Sequence, residues 1–456
     1  MMLASPTVRR AWAPEAGTPG PAGPPKPAPA EPSFAVMGGR GARLLGGPAR
    51  AEGTEHWESH LRRLGALGIE GAAGHELVQE VARSGLQGRG GALFPTATKL
   101  TMASASRGTP IAVVNASEGE PASQKDRSLF ELRPHLVLDG ALVAARAIGA
   151  PEVVFYLHRA RRGSTAALER ALWERPPEGV AWRLVDAPAG YVTGESSAVV
   201  SYLEGQGALP RRRSAPAAVR GVAGRPTVVN NVETIAHLAL IARFGWKWFR
   251  SAGDANGPGS TLVTLAGELP VPGAVAEVLG PTRLGQLLSG VGGLGRPPQA
   301  VLVGGYEGVW LNGASAWEMP VARGLLAAHG ISLGCGVIAA LNSGSCGLAT
   351  TARLVRWLAS ESAGQCGSCV FGLPAVSALL DEIARGTALR RDLRRLRQLS
   401  CVVTGRGACG HPSGVMALVD SALEVFSAEL RRHLHGRCCP AVHYGFPLPG
   451  HQEGLE

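Results

Sequence analysis

Aromatic residues make up only 5% of this 456-residue chain, and cysteines number eight. So few cysteines in so long a chain exclude a disulfide framework as its source of stability and suggest reduced thiols. No apolar run approaches the ~18 residues that a membrane-crossing helix needs. The first residues also lack the apolar stretch of a signal peptide. Both absences point to a cytoplasmic location, with any membrane contact made through partners. RNP-like, zinc-finger and helix-turn-helix patterns are missing too, so the net charge of +10 is not read as nucleic-acid binding. Part of that charge comes from "RRDLRRLR" (390–397), where basic residues recur at helical spacing, as on a solvated helix face.

What is abundant is glycine (63) and proline (33), which favours a loop-rich α/β chain over a bundle. Residues 1–54, with "GTPGPAGPPKPAPAEP", carry too little apolar surface to offset ordering and are expected to form an unpacked tail. Over 55–250, short helices precede an alternation: "PIAVVNA" as strand, "HLVLDGALVAARAIGA" as helix, "PEVVFYLH" as strand, "TAALERALWERP" as helix, "VAWRLVD" as strand. That order predicts a mostly parallel sheet covered by helices. Residues 251–335 read as two strand pairs around one helix, a small α+β module. Residues 336–436 read as helical throughout, and 437–456 as a second tail.

Four stretches carry candidate chemistry. "GLQGRGGALFPTATK" (85–99) sets four glycines around Arg89 and ends on Lys99, and glycines let backbone N–H groups converge on an anion. Its spacing matches neither common phosphate-loop pattern, and a surface turn is the plain alternative. "VVNASEGEPASQKDR" (113–127) places Asn115, Glu118 and Glu120 after a strand, where open α/β sheets bind ligands. The plain alternative is an acidic loop paired with Lys125 and Arg127. "YVTGESSAVVSYLEG" (191–205) gives a Gly-Glu turn entering a helix, and "GRPTVVNNVET" (224–234) a tandem asparagine pair suited to the edge of a heterocycle. In "ESAGQCGSC" (361–369), Cys366 and Cys369 have the C-x-x-C spacing that grips a metal or an iron–sulfur cluster.

In this order the motifs resemble the NADH-binding subunit of respiratory complex I (the 51 kDa, F-type subunit) and related subunits of bacterial formate dehydrogenases and hydrogenases. The resemblance runs from about residue 56 to 433. It implies a Rossmann-like FMN-binding domain, a β-grasp (SLBB-like) module and a C-terminal helical-bundle iron–sulfur domain. It implies electron transfer from NAD(H) through FMN to the cluster, with a small [2Fe-2S] or ferredoxin-type subunit as partner in a membrane-bound complex. By the same resemblance, Gly88, Arg89, Gly90, Gly91 and Lys99 fall at the flavin phosphate and backbone. Asn115, Glu118, Glu120, Gly194, Asn230 and Asn231 fall at the flavin's polar contacts, Phe94 in the nucleotide site, and Tyr191 and Glu195 beside the flavin and nicotinamide.

The chain departs from the family pattern in places. The family's N-A-D-E reads Asn115-Ala116-Ser117-Glu118, and its G-E-E-T reads Gly194-Glu195-Ser196-Ser197, so two carboxylates are gone. An adenine-stacking aromatic is replaced by Met102, and another has no match in 209–217. The implied cluster ligands are C-x-x-C-x-x-C plus a cysteine some forty residues on. Cys366, Cys369 and Cys409 match, whereas Ala363 stands in the first place. Three readings follow: a 4Fe-4S or 3Fe-4S cluster, with Cys401 or His411 as stand-in ligands; a zinc ion on Cys366, Cys369, Cys409 and His411; or inert buried thiols. A flavoprotein with another donor or acceptor, such as ferredoxin, and a non-enzymatic scaffold are the alternatives to NADH oxidation.

Overall fold

The computed structural model describes residues 8–10, 36–37, 41–159, 161–212, 214–439 and 446. The alternating apolar runs form parallel strands at Ile111–Ala116, Glu152–Leu157, Ala181–Asp186 and Thr227–Asn231. Val8–Arg10 pairs in parallel outside Ala181–Asp186. From that edge the sheet runs 8–10, 181–186, 152–157, 111–116, 227–231. Successive strands step one way and then reverse, so 111–116 and 227–231 flank a topological switch point, where such sheets bind ligands.

Strand alternation sorts the core. Ala112, Val114, Val153 and Phe155 pack under the helices Pro134–Ile148 and Val232–Arg250, while Ile111, Val113, Val154 and Tyr156 pack against Val199 and Val200 of the helix Ser196–Leu203. Helices thus cover both faces. The first two approach closely at Gly140, where an added Cβ would lie 1.8 Å from the Ile235 carbonyl oxygen.

A second sheet follows. Thr261–Gly267 and Ala274–Val278 form a hairpin, Leu284–Gly290 a helix, and Ala300–Val303 with Val309–Asn312 a second hairpin. Val337–Leu341 then returns between the hairpins, parallel to Thr261–Gly267 and antiparallel to Ala300–Val303. A hairpin, a helix, a second hairpin and a last strand parallel to the first make up the small α+β module expected over 251–335, extended by one strand. The expectation that 336–436 is helical throughout is therefore corrected: 337–341 is the central strand of this sheet. "VIAAL" is buried at every position, and a short continuous apolar run cannot be told from a buried helix by periodicity alone. True helices begin at Gly347–Ser360 and continue with Leu373–Ala384, Arg390–Val403, His411–Val425 and Ser427–His433.

The expected tail of 1–54 lies largely outside the described residues, and so does most of 437–456. Part of the described stretch of 1–54 packs, around Leu44 and Leu45, while 49–53 are exposed. Leu44 and Leu45 are buried. The backbone N–H groups of Arg43, Leu44 and Leu45 donate to the Glu277 carboxylate at 2.9–3.0 Å. Arg133 donates to the carbonyls of Leu45, Gly46 and Pro48. The segment is a strap across both sheets, because two buried charged side chains need its backbone as partner.

Replacing Gly140 with alanine should cost ~1–3 kcal/mol or more, because the methyl overlaps backbone that cannot swing away. Urea denaturation of Gly140→Ala beside the parent checks this; an unchanged midpoint would show that the helix pair can spread freely.

Candidate cofactor cavity and cysteine loop

At the carboxyl ends of 111–116 and 227–231 lies a cavity of ≈ 660 Å³, within the range of cofactor sites. Its walls include Gly90, Gly91, Asn115, Glu118, Glu120, Tyr191, Gly194, Glu195, Asn231 and Cys409. The structure therefore brings together ten of the residues singled out from sequence. Gly88, Arg89, Phe94, Lys99, Asn230, Cys366 and Cys369 are not in its walls.

Each lining side chain is held by local structure. Asn115 Nδ2 donates to the Gly194 carbonyl (2.7 Å), and its Oδ1 accepts from the Ser117 hydroxyl (2.9 Å). Glu118, at φ +39°, turns its carboxylate onto the helix Lys125–Leu132, accepting from the N–H groups of Asp126 (2.9 Å) and Arg127 (3.1 Å). Glu195 caps the helix Ser196–Leu203 through the N–H groups of Ser197 and Ala198. Asn231 caps the helix Val232–Arg250 and accepts from Lys125 Nζ (2.9 Å). These are ordinary helix caps, and they fix polar groups around the cavity without motion.

Tyr191 and Glu120 join three units. The Tyr191 hydroxyl donates to Glu120 (3.3 Å), its N–H donates to Glu361 (2.9 Å), and its ring packs edge-on to Trp357. Glu120 also accepts from the Tyr306 N–H (2.9 Å). Burial pushes the Glu120 carboxyl up to about 7, against those donors.

Sequence reasoning missed part of the wall. Asp126 lines the cavity beside Ser117, and so does Lys125, which the sequence suggests only as the partner of an acidic loop. Loops of the second sheet close the far side through Gly304, Glu307, Gly308, Gly334 and Cys335. Their signal was glycine pairs at strand ends, with Gly304, Gly305, Gly334 and Gly336 all at positive φ.

Two expected phosphate contacts are placed elsewhere. The Arg89 guanidinium is buried and donates to the Pro258 carbonyl (2.8 Å), with its pKa lowered to about 9 by burial. Lys99 Nζ donates to the Val229 carbonyl (3.0 Å) and lies near Asn230 Oδ1 (3.5 Å); burial lowers its pKa. Beside it the buried Asn230 Nδ2 has no partner.

Cys366 and Cys369 sit at the entry to a wide turn, Ser368–Gly372, with sulfurs 3.5 Å apart. Burial raises the Cys366 thiol, but backbone N–H donors at Ala408, Cys369 and Ser368 outweigh it and the net shift is downward. Burial and the Cys366 sulfur push Cys369 up to about 11. Cys409, raised by burial, faces Glu195 and Glu307. Among the described residues, Cys366, Cys369 and Cys409 do not form a set of ligand atoms all within 4.8 Å. His411 is not free to help: Nδ1 pairs with Glu307 and Nε2 meets the Leu358 carbonyl (2.9 Å). Cys401 is exposed on the helix Arg390–Val403, with no partner placing it. Both stand-in ligands and the Cys₃His zinc set are thereby disfavoured.

Residues 81–240 match the Nuo51 FMN-binding domain, and residues 349–433 the NADH-ubiquinone oxidoreductase-F iron-sulfur binding region. The F-type subunit of the NADH-quinone oxidoreductase of Streptomyces coelicolor is 33% identical over 416 residues, 85% of this chain and 90% of that protein. The chain belongs to the family of NADH-quinone oxidoreductase F-type subunits. A second member, from Rhizobium meliloti, is 31% identical over 380 residues, 80% of this chain and 90% of that one. Among solved structures, a chain of an NAD+-reducing [NiFe]-hydrogenase in the H2-reduced state matches with TM-score 0.72 and 30% identity over 81% of this chain. The present chain spans 63% of that hydrogenase chain. The air-oxidized form matches with TM-score 0.74 and 29% identity, over 91% of this chain and 69% of that one.

Against the pattern of that family, the walls fit FMN. Gly90 and Gly91 leave backbone open to a close ligand, and a Cβ on Gly90 would come within 3.2 Å of Asn231. The amides of Asn115 and Asn231 are held in fixed orientations. The nucleotide side fits less well. Met102 packs against the core, Phe94 is 41% exposed, and Ser196 is exposed at a helix start.

Glu120 gives a pH signature. Its folded pKa lies above the ordinary 4.5, so between about pH 4.5 and pH 7 the folded state holds more protons than the unfolded one. Stability then falls as pH rises through that window, by up to roughly 3 kcal/mol. Glu120→Gln should flatten the slope, measured by urea denaturation from about pH 5 to pH 8. An unchanged slope would place the titration elsewhere.

Proposed function

We propose that this chain is an FMN-dependent oxidoreductase subunit, taking electrons from a reduced nicotinamide nucleotide and passing them to an iron–sulfur centre. The observation that carries this is the position of Cys409. It lies in the wall of the same cavity as Asn115, Glu195 and Asn231, so a flavin pocket and a cysteine loop share a boundary. FMN in such a pocket supplies hydride acceptance and one-electron release. The chain supplies orientation and exclusion of water. Gly90 and Gly91 admit the ligand to the backbone, and the Asn115 amide, fixed by Gly194, presents a set donor–acceptor edge. Tyr191, locked by Glu120 and Glu361, closes the side toward the helical unit. Cys366, Cys369 and Cys409 would hold the cluster.

A small iron–sulfur protein is the proposed partner. Val370 and Phe371, directly after Cys369, are 46% and 75% exposed. An apolar patch beside a redox centre marks a docking surface. No helix among the described residues is long and apolar enough to cross a membrane. A cytoplasmic place, with membrane contact made through partners, goes with that partnership.

Met102 and Ser196 favour a second reading, in which another donor replaces NADH. Base–aromatic stacking is worth ~1–3 kcal/mol, so two lost aromatics weaken nucleotide binding about thirty-fold or more. Stopped-flow reduction of the FMN-loaded protein over a wide NADH range decides. The expected result is reduction that saturates only at high NADH; no reduction at all gives the second reading, and no flavin uptake by the folded protein overturns both.

The cluster makes its own prediction. Ala363→Cys should raise iron and sulfide content after anaerobic reconstitution and sharpen the low-temperature EPR signal. If neither parent nor variant takes up iron, Cys366, Cys369 and Cys409 are structural and the electron path ends at the flavin.

A further inference from the structure

We propose that Cys346, His433, Cys439 and Glu429 form a zinc site, separate from the flavin cavity, that clips the segment after the last helix onto the helical unit. The ligand atoms of Cys346, His433 and Cys439 all lie within 4.8 Å of one another. Nε2 of His433 is 3.6 Å from Cys346 Sγ and 3.5 Å from Cys439 Sγ, and Glu429 Oε2 is 3.4 Å from Cys346 Sγ. In a tetrahedron with Zn–S of about 2.3 Å and Zn–N or Zn–O of about 2.0–2.2 Å, the edges between unlike ligands are about 3.5–3.7 Å. The donors of Cys346, His433 and Cys439 thus already stand close to the spacing that one zinc ion imposes, and Glu429, beside Cys346, is the acid at hand for the fourth place. Thiols are weak hydrogen-bond partners, so nothing else at this point repays gathering two of them around a buried imidazole.

The surroundings are those of a metal site. His433 Nδ1 lies 3.0 Å from the Ile383 carbonyl. Donation there fixes the neutral tautomer and turns the Nε2 lone pair toward the sulfurs, as histidine ligands require. Glu429 and His433 are four residues apart on the helix Ser427–His433, so they share a face. Cys346 caps the helix Gly347–Ser360, whose Ala349 N–H donates to its sulfur (3.4 Å). The Leu348 N–H and the Gln299 amide hold the Glu429 carboxylate. Two thiolates and a carboxylate exceed the charge of Zn²⁺ by one, and Arg432, donating to Cys439 Sγ (3.4 Å), offsets it. A surface cavity of ≈ 460 Å³ reaches Glu429, Arg432 and Cys439 and provides a path for the ion. None of these residues belongs to the loop of Cys366, Cys369 and Cys409.

The test uses full-length protein, stripped of metal under anaerobic reducing conditions and titrated with Co²⁺ and then Zn²⁺. A Cys366→Ser/Cys369→Ser/Cys409→Ser variant removes the thiols of the candidate cluster loop and leaves Cys335, Cys401 and Cys438 beside the proposed ligands. It should still take up one Co²⁺ per chain with thiolate charge-transfer and tetrahedral d–d bands, lose them on adding Zn²⁺, and melt at higher temperature with zinc. Adding Cys439→Ser or His433→Gln should abolish the bands and the zinc-dependent melting shift, and Glu429→Gln should weaken affinity. Retention of the bands in both Cys439→Ser and His433→Gln would overturn the proposal. So would failure of the triple variant to bind Co²⁺, or a Cys346–Cys439 disulfide that persists under the reductant.

Discussion

One buried ammonium holds the floor of the cavity. Lys125 Nζ lies 2.7 Å from Asp126, 2.9 Å from Asn231 and 3.2 Å from Glu233. Burial alone would lower its pKa, but Asp126 and Glu233 outweigh it and the net shift is upward, so the charge persists. Glu233 in turn accepts from the Leu262 N–H (3.0 Å) in the second sheet. The start of one helix, the end of the edge strand Thr227–Asn231, the start of a second helix and the first strand of the next module therefore meet on one charge. Removing one partner of such a buried pair costs about 3–5 kcal/mol, because the remaining charges lose their compensation. The cavity's polar wall and the attachment of the second sheet rest on the same interaction.

The parallel sheet was legible because its strands alternate with helices and end on polar motifs long enough to be specific. The placement of single cations was not. Arg89 stands among glycines, which suggested an anion, yet its guanidinium turns inward to Pro258, over a buried region that also holds Glu233 and Arg323. Lys125 looked like half of a surface ion pair and is instead 1% exposed. Direction of a long side chain depends on which acid the fold buries nearby, and that acid lies 108 residues further on, at Glu233. The strand 337–341 was hidden for a different reason: it is enclosed on both faces, so it shows no alternation to read.

The eight cysteines divide in the same way. Cys366 and Cys369 are visible from sequence because the C-x-x-C spacing is local. Cys346 and Cys439 are 93 residues apart and become neighbours only when the last helix folds back over the start of Gly347–Ser360. Local spacing advertises a site, whereas a site assembled by helix packing leaves no periodic trace.

The departure at Ser117 is built into the packing and is more than a missing charge. Ser117 is buried, and a Cβ on Gly194 would come within 2.2 Å of its hydroxyl oxygen. The hydroxyl donates to Asn115 Oδ1, and Asn115 cannot turn its amide around without losing the Gly194 carbonyl. A carboxylate at 117 would set two acceptors against each other in a space already filled by Gly194. The loop that carries Glu195 and the strand end that carries Asn115 have therefore closed on each other around the smaller side chain. Asn115, Gly194 and Glu195 still face one cavity around that serine, so the polar edge offered to a flavin is one acid short and keeps its amide and its Gly-Glu turn.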